Sequence, residues 1–111
     1  MAKRVFIVTD KIGRDNDELG GVLMKNFLYA LARNEERPKA VMFMNEGVRL
    51  ACNGSASLDD LRLLEEGGVV VKACGTCLDF LGLMDELAVG SVGAMPDSVA
   101  ALLADDVLTI A

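Results

Sequence analysis

Histidine and tryptophan are both absent from the 111-residue sequence, and cysteine occurs only three times. Without histidine there is no Ser-His-Asp or Cys-His nucleophile pair, no imidazole general base and no imidazole metal ligand. Three thiols cannot complete a tetrahedral zinc site by themselves, so no metal and no cofactor are expected. An odd cysteine count also argues against a disulfide framework. Aromatic residues make up 5% of the chain, which leaves a core of Val, Leu, Ile, Ala and six Met. Basic residues are scarce as well: 11 Lys and Arg face 17 Asp and Glu, for a net charge of −6. The one basic cluster, Lys3-Arg4, is no footprint for a polyphosphate backbone, so nucleic acid is not an expected partner. The apolar run after it, Val5 to Thr9, is too short for a secretory signal or a membrane span. A cytoplasmic protein with no membrane partner is expected, and in that compartment thiols stay reduced.

What is present is 52% hydrophobic, a globular composition sized for one domain over residues 1–111. Its positive mean hydropathy is high for so short a chain and points to apolar surface shared between subunits of a homo-oligomer. The apolar stretch Phe80 to Met95 points the same way.

Short apolar runs alternate with helical spacing. Arg4 to Thr9 reads as a buried strand and is followed by a polar loop. From Asp17 the stripe Leu19, Leu23, Phe27, Leu31 predicts an amphipathic helix, capped by Asn16 or Asp17 and ended at Asn34 to Pro38. Gly20-Gly21 in its first turn predicts close backbone packing. Lys39 to Met44 is a second strand, closed by Asn45-Glu46-Gly47. Ser57 to Asp60 resembles a capping box for a helix that turns Leu58, Leu61 and Leu64 inward and stops at Gly67-Gly68. Val69 to Ala73 is a third strand. Thr76 and Asp79 form another capping pattern, for a helix from Cys77 to about Leu87. A weak strand at Ala88 to Val92, a helix with Pro96 in its first turn through Ala104, and a strand at Val107 to Ile110 complete the chain. The alternation predicts a five-stranded parallel sheet, doubly wound into three α/β/α layers.

In such sheets chemistry gathers beyond the carboxyl ends of the strands, which selects Asp10 to Asn16, Asn45 to Cys52 and Cys74 to Cys77. Cys74 ends a strand just before a helix start, where free amides favour thiolate. On position alone it fits a nucleophile or a small buried hydrophobe equally well. Gly75 leaves room for a partner's sulfur, and Thr76 follows it. Cys77 lies three residues on, placed to resolve an oxidised Cys74 or to turn into the core. Cys52 has nothing nearby to activate it and is expected to be structural. Asp10 and Gly13 are the candidate binding positions of the first loop, where Lys11 or Arg14 would steer an anionic sulfur species. That loop contains no nucleotide-binding glycine pattern, and for Lys11 and Arg14 an ordinary solvated loop is the preferred reading.

LGGVLMKNFLYAL, a strand ending in NEGVRL, and CGTCLDFLGL followed by an AVG segment together resemble the DsrE/DsrF-like sulfur-relay family, most of all its YedF-type members linked to sulfur and selenium metabolism. The resemblance runs over nearly the whole chain. It implies a five-stranded parallel α/β fold, trimers or hexamers, and a cysteine that takes up sulfur as a persulfide and passes it on. The carrier position matches Cys74, and Asn45, Gly47 and Val48 match the family's second-loop pattern, which shapes the pocket. Many YedF-type proteins carry a preceding TusA-like domain with a Cys-Pro pair, which this sequence lacks. The resemblance therefore implies a separate sulfur donor or acceptor, a TusA-like protein or a small sulfane-sulfur species. A thiol-disulfide switch through Cys74 and Cys77 and a non-catalytic assembly or ligand-binding subunit are the alternatives.

Overall fold

The computed structural model describes residues 3–111. Five strands, β1 (Lys3–Ile7), β2 (Ala40–Phe43), β3 (Val70–Cys74), β4 (Ser91–Gly93) and β5 (Asp106–Ile110), form one sheet in the order β4-β3-β2-β1-β5. Every pairing is parallel, as the α/β alternation predicts. The first four strands step outward in one direction and β5 returns to pair with β1, so the connection from β4 crosses the sheet.

Four helices make the crossovers: α1 (Asp17–Arg33), α2 (Leu58–Glu66), α3 (Gly75–Phe80) and α4 (Met95–Ala104). Pleating turns Val5, Ile7, Val41, Phe43, Val71 and Ala73 to one face, where they pack with Met24 and Leu28 of α1 and Leu61 and Leu64 of α2. The opposite face carries Arg4, Ala40, Met42 and Lys72, which line a cleft with Asp97, Ser98 and Ala101 of α4. β2, central in the sheet, is buried along its whole length, which is why its run has no polar alternation.

Several details differ from the sequence reading. The buried face of α1 is Gly20, Met24, Leu28, Ala32, one residue along from the expected stripe, while Leu19 and Leu23 are exposed. Two adjacent apolar stripes share the i, i+4 spacing, and small residues decide between them. A Cβ on Gly20 would lie 2.9 Å from the Ile12 carbonyl oxygen, so the helix seats its glycine against the preceding loop. Gly21 has no such neighbour and is not a packing glycine. Asn16 caps α1 as expected, its Oδ1 accepting from the Leu19 N–H at 2.9 Å.

Ser57 makes no side-chain cap for α2, contrary to the capping-box reading. Asp60 is instead drawn away by α1: its carboxylate accepts from Lys25 Nζ at 2.5 Å and Arg33 Nη1 at 2.9 Å. The helix expected from Cys77 to Leu87 stops at Phe80, because Gly82 adopts φ +70° and a 3-10 turn, Met84–Glu86, follows. Thr76 and Asp79 therefore form no capping box; the cap position is Cys74. Ala88 and Val89 are not strand: their N–H groups donate to the Ala51 carbonyl at 2.8 and 3.2 Å, and β4 begins at Ser91. No helix among the described residues is long and apolar enough to cross a membrane.

Candidate functional site

Two connections meet beyond the carboxyl ends of β2 and β3. After β2 the chain enters a 3-10 helix, Asn45–Ala51, with Asn45 in the left-handed region at φ +52°. Asparagine tolerates this conformation better than most residues. Its Oδ1 accepts from the Glu46 N–H at 2.8 Å, and its own N–H donates to Cys77 Sγ at 3.1 Å. Gly47 makes the turn possible: a Cβ there would lie 2.4 Å from the Ile7 carbonyl oxygen, so the 3-10 helix sits directly on the end of β1.

After β3 the chain enters α3, which carries Thr76 and Cys77 to the same place. Thr76, Cys77, Asn45 and Glu46 form the polar part of a cavity of roughly 640 Å3, and Val8, Met44, Phe80 and Leu81 form its apolar walls. Phe80 is 88% exposed at the rim.

The two cysteines of the CGTC motif take different places. Cys74 is 4% exposed, pairs with Gly93 across the β3–β4 ladder, and belongs to the hydrophobic core. Cys77 is half-buried and faces the cavity. Of the two placements open from sequence, Cys77 is not turned into the core and Cys74 is: β3 ends one residue later than read, so Cys74 is held in the pleat and α3 presents its third residue. Gly75 does not open space for a partner, because a Cβ there would meet Val92 Cγ1 at 2.9 Å. Its role is to let α3 start against β4.

Burial pushes the Cys77 thiol above the usual cysteine range, the Asn45 N–H opposes that shift, and the neighbouring Cys74 thiol adds to it. Cys77 is thus held mainly as the protonated thiol at neutral pH, close enough to Cys74 for the two to influence each other. Cys52 is buried, its thiol donating to the Val48 carbonyl at 3.2 Å. Burial, then the Glu86 carboxylate, push its pKa up, with Arg49 opposing. It packs the core, as expected.

The remaining sequence candidates lie elsewhere. Asp10 lines a second cavity, of about 410 Å3, with Lys11, Lys25, Arg49 and the loop before α2, and its carboxylate accepts from Lys11 Nζ at 3.2 Å. Gly13 is at φ +83° and its N–H donates to the Ala111 carbonyl at 3.1 Å, a structural turn that ties the first loop to the chain end. Of the expected site residues, the structure brings together Asn45, Gly47, Thr76 and Cys77. Glu46, Val8, Met44, Phe80 and Leu81 were not among the expected site residues; Glu46 lies in a loop that the strand-end rule selected, whereas nothing in the sequence marks the other four as lining. No group of three or more Cys, Asp or Glu with metal-binding geometry occurs among the described residues.

Comparison with solved structures gives full-length matches. The chain is similar to the ychN protein of E. coli (TM-score 0.72, 22% identity, 99% of this chain and 100% of that one). It is also similar to MTH1491 of Methanobacterium thermoautotrophicum, a protein of unknown function (TM-score 0.64, 20% identity, covering 98% and 99%). A third match is BT1422 of Bacteroides thetaiotaomicron, likewise of unknown function (TM-score 0.65, 15% identity, covering 97% and 94%). No protein-family model and no curated protein matches the chain. These likenesses establish the fold over the whole chain.

Proposed function

We infer that the chain is a sulfur carrier in which the Cys74–Cys77 pair handles sulfane sulfur, with Cys77 as the receiving thiol. The observation that carries this reading is the placement of Cys77 Sγ in a cavity beside the Asn45 N–H, with a second thiol behind it. The resemblance to the DsrE/DsrF-like family agrees with it, and the order of the two thiols is revised from the sequence reading on grounds of access.

The chemistry needs neither histidine nor metal. The Cys77 thiolate attacks the outer sulfur of a persulfide R–S–SH; the donor's S–S bond breaks, a new S–S bond forms at Cys77, and R–S⁻ leaves with the bonding pair. An acceptor thiolate then attacks the outer sulfur of Cys77–S–SH and regenerates the thiol. The Asn45 N–H stabilises negative charge on Cys77 sulfur in both directions. Because burial holds the resting thiol protonated, loading quickens as pH rises, over a range above that of an unburied cysteine. A TusA-like protein or a small sulfane species serves as donor or acceptor. Phe80, and Leu103 at 84% exposure, are apolar surface that supports assembly of several copies.

Intact-mass spectrometry after incubation with a sulfane-sulfur donor tests the reading. The wild type should gain the mass of one sulfur atom, Cys77→Ser should gain none, and Cys74→Ser should load and hold the sulfur longer. The last effect follows because Cys74 is the thiol that would attack Cys77–S–SH, form the Cys74–Cys77 disulfide and expel HS⁻. Absence of an adduct on the wild type overturns the reading. Loading that is lost in Cys74→Ser and kept in Cys77→Ser returns the carrier role to Cys74.

A further inference from the structure

We propose that the donor at Cys77 is an organic persulfide with an apolar, uncharged organic group, and that the cavity discriminates against anionic sulfur donors such as thiosulfate. The inference rests on the carrier reading above and adds the chemistry of the donor.

No Lys or Arg lines the Cys77 cavity among the described residues. Among the described lining residues the ionisable groups are the Cys77 thiol and the Glu46 carboxylate. Arg49 donates from Nε to Glu46 Oε1 at 3.1 Å, both side chains being partly exposed, and lines the other cavity. The walls are Val8, Met44, Phe80 and Leu81. An anionic donor entering here meets no lining cation and passes the Glu46 carboxylate, whose repulsion is partly screened because its side chain is 44% exposed. Thiosulfate transfer, in which the Cys77 thiolate takes the outer sulfur and sulfite leaves, would concentrate further negative charge at the same point. An aryl or alkyl group instead finds apolar surface, in a volume suited to a small molecule. The protein does place cations around its other cavity, where Lys11, Lys25 and Arg49 meet. Among the described residues, the lack of a Lys or Arg in the lining is therefore a property of this cavity and not of the whole surface.

The test compares benzyl persulfide, 4-carboxybenzyl persulfide and thiosulfate as donors to the reduced full-length protein. Sulfur loading is followed by intact mass, and each rate is divided by the rate of the same donor with a free small-molecule thiol. Benzyl persulfide is expected to exceed its carboxylated twin by about two- to fivefold after this normalisation, with thiosulfate slower still. Glu46→Gln should bring the ratio closer to that of the free thiol. A normalised ratio near one, or thiosulfate as the fastest donor, overturns the donor class while leaving the carrier reading intact. Failure of all three donors to load Cys77 overturns the carrier reading itself.

Discussion

Replacing Gly47 by alanine is expected to damage stability and the thiol site together. The new Cβ would sit 2.4 Å from the Ile7 carbonyl oxygen and 3.3 Å from the Thr9 nitrogen, both backbone atoms that cannot swing aside. Contacts under 3.0 Å essentially never occur at a Cβ, so the 3-10 helix Asn45–Ala51 must move by more than half an ångström. The Ile7 carbonyl also accepts from the Met44 N–H at 3.0 Å, so the displacement loads the junction of β1 and β2. Overpacking of this kind costs about 2–3 kcal/mol. For a chain of this length that lowers the melting temperature by roughly 8–12 °C. The same movement carries the Asn45 N–H away from Cys77 Sγ and removes the one contact that lowers the thiol pKa. Calorimetry gives the first quantity, and the pH profile of Cys77 alkylation, read by peptide mass, gives the second. A melting temperature within about 2 °C of wild type, with an unshifted alkylation profile, would refute the claim that Gly47 seats the site on β1.

Three further outcomes are expected. Asp60 is 2% exposed and joins α1 to α2; although burial raises its pKa, the Lys25 and Arg33 hydrogen bonds bring it below the usual carboxylate value. Asp60→Asn should cost about 2 kcal/mol, less than the roughly 3–5 kcal/mol of a fully buried pair because both cations are partly hydrated, as urea titration would show. A depressed carboxyl stabilises above its unfolded pKa of about 3.9 and loses that contribution as pH falls through the folded value, so the wild type should weaken in acid more than the variant does. With a soluble alkylating agent near pH 8.5 the native protein should be modified first at Cys77, with Cys52 and Cys74 reacting on the timescale of unfolding; equal labelling of all three would contradict their placement. Leu28→Ala, in the centre of the core, should cost about 2–5 kcal/mol in denaturant titration, whereas Leu19→Ala on the same helix should change stability by less than about 0.5 kcal/mol.

The sequence by itself determined the layer architecture. Five apolar runs of strand length alternate with helical spacing through short connections, and only a parallel sheet with crossover helices accommodates that pattern. Lys39 to Met44 was legible as a strand because β2 is buried on both faces and leaves no polar alternation to read, whereas β3 was legible from its β-branched run although Val70 is exposed. The position of the candidate site followed from the same topology, since strand ends collect the loops that approach one another. The tertiary structure decided what local patterns leave open. The i, i+4 stripe of α1 could face the sheet in either of two registers, and the contact of Gly20 with the Ile12 carbonyl chose between them. Ser57 and Asp60 had the spacing of a cap, yet the cations of α1, 35 and 27 residues away, took the carboxylate. The order of the two thiols depended on one residue of strand length: extending β3 to Cys74 buries it in the pleat and leaves α3 to present Cys77. Asn45, 32 residues earlier in the chain, then supplies the N–H that meets the Cys77 sulfur. Contacts of that separation carry no local periodicity, and only the folded chain brings them into being.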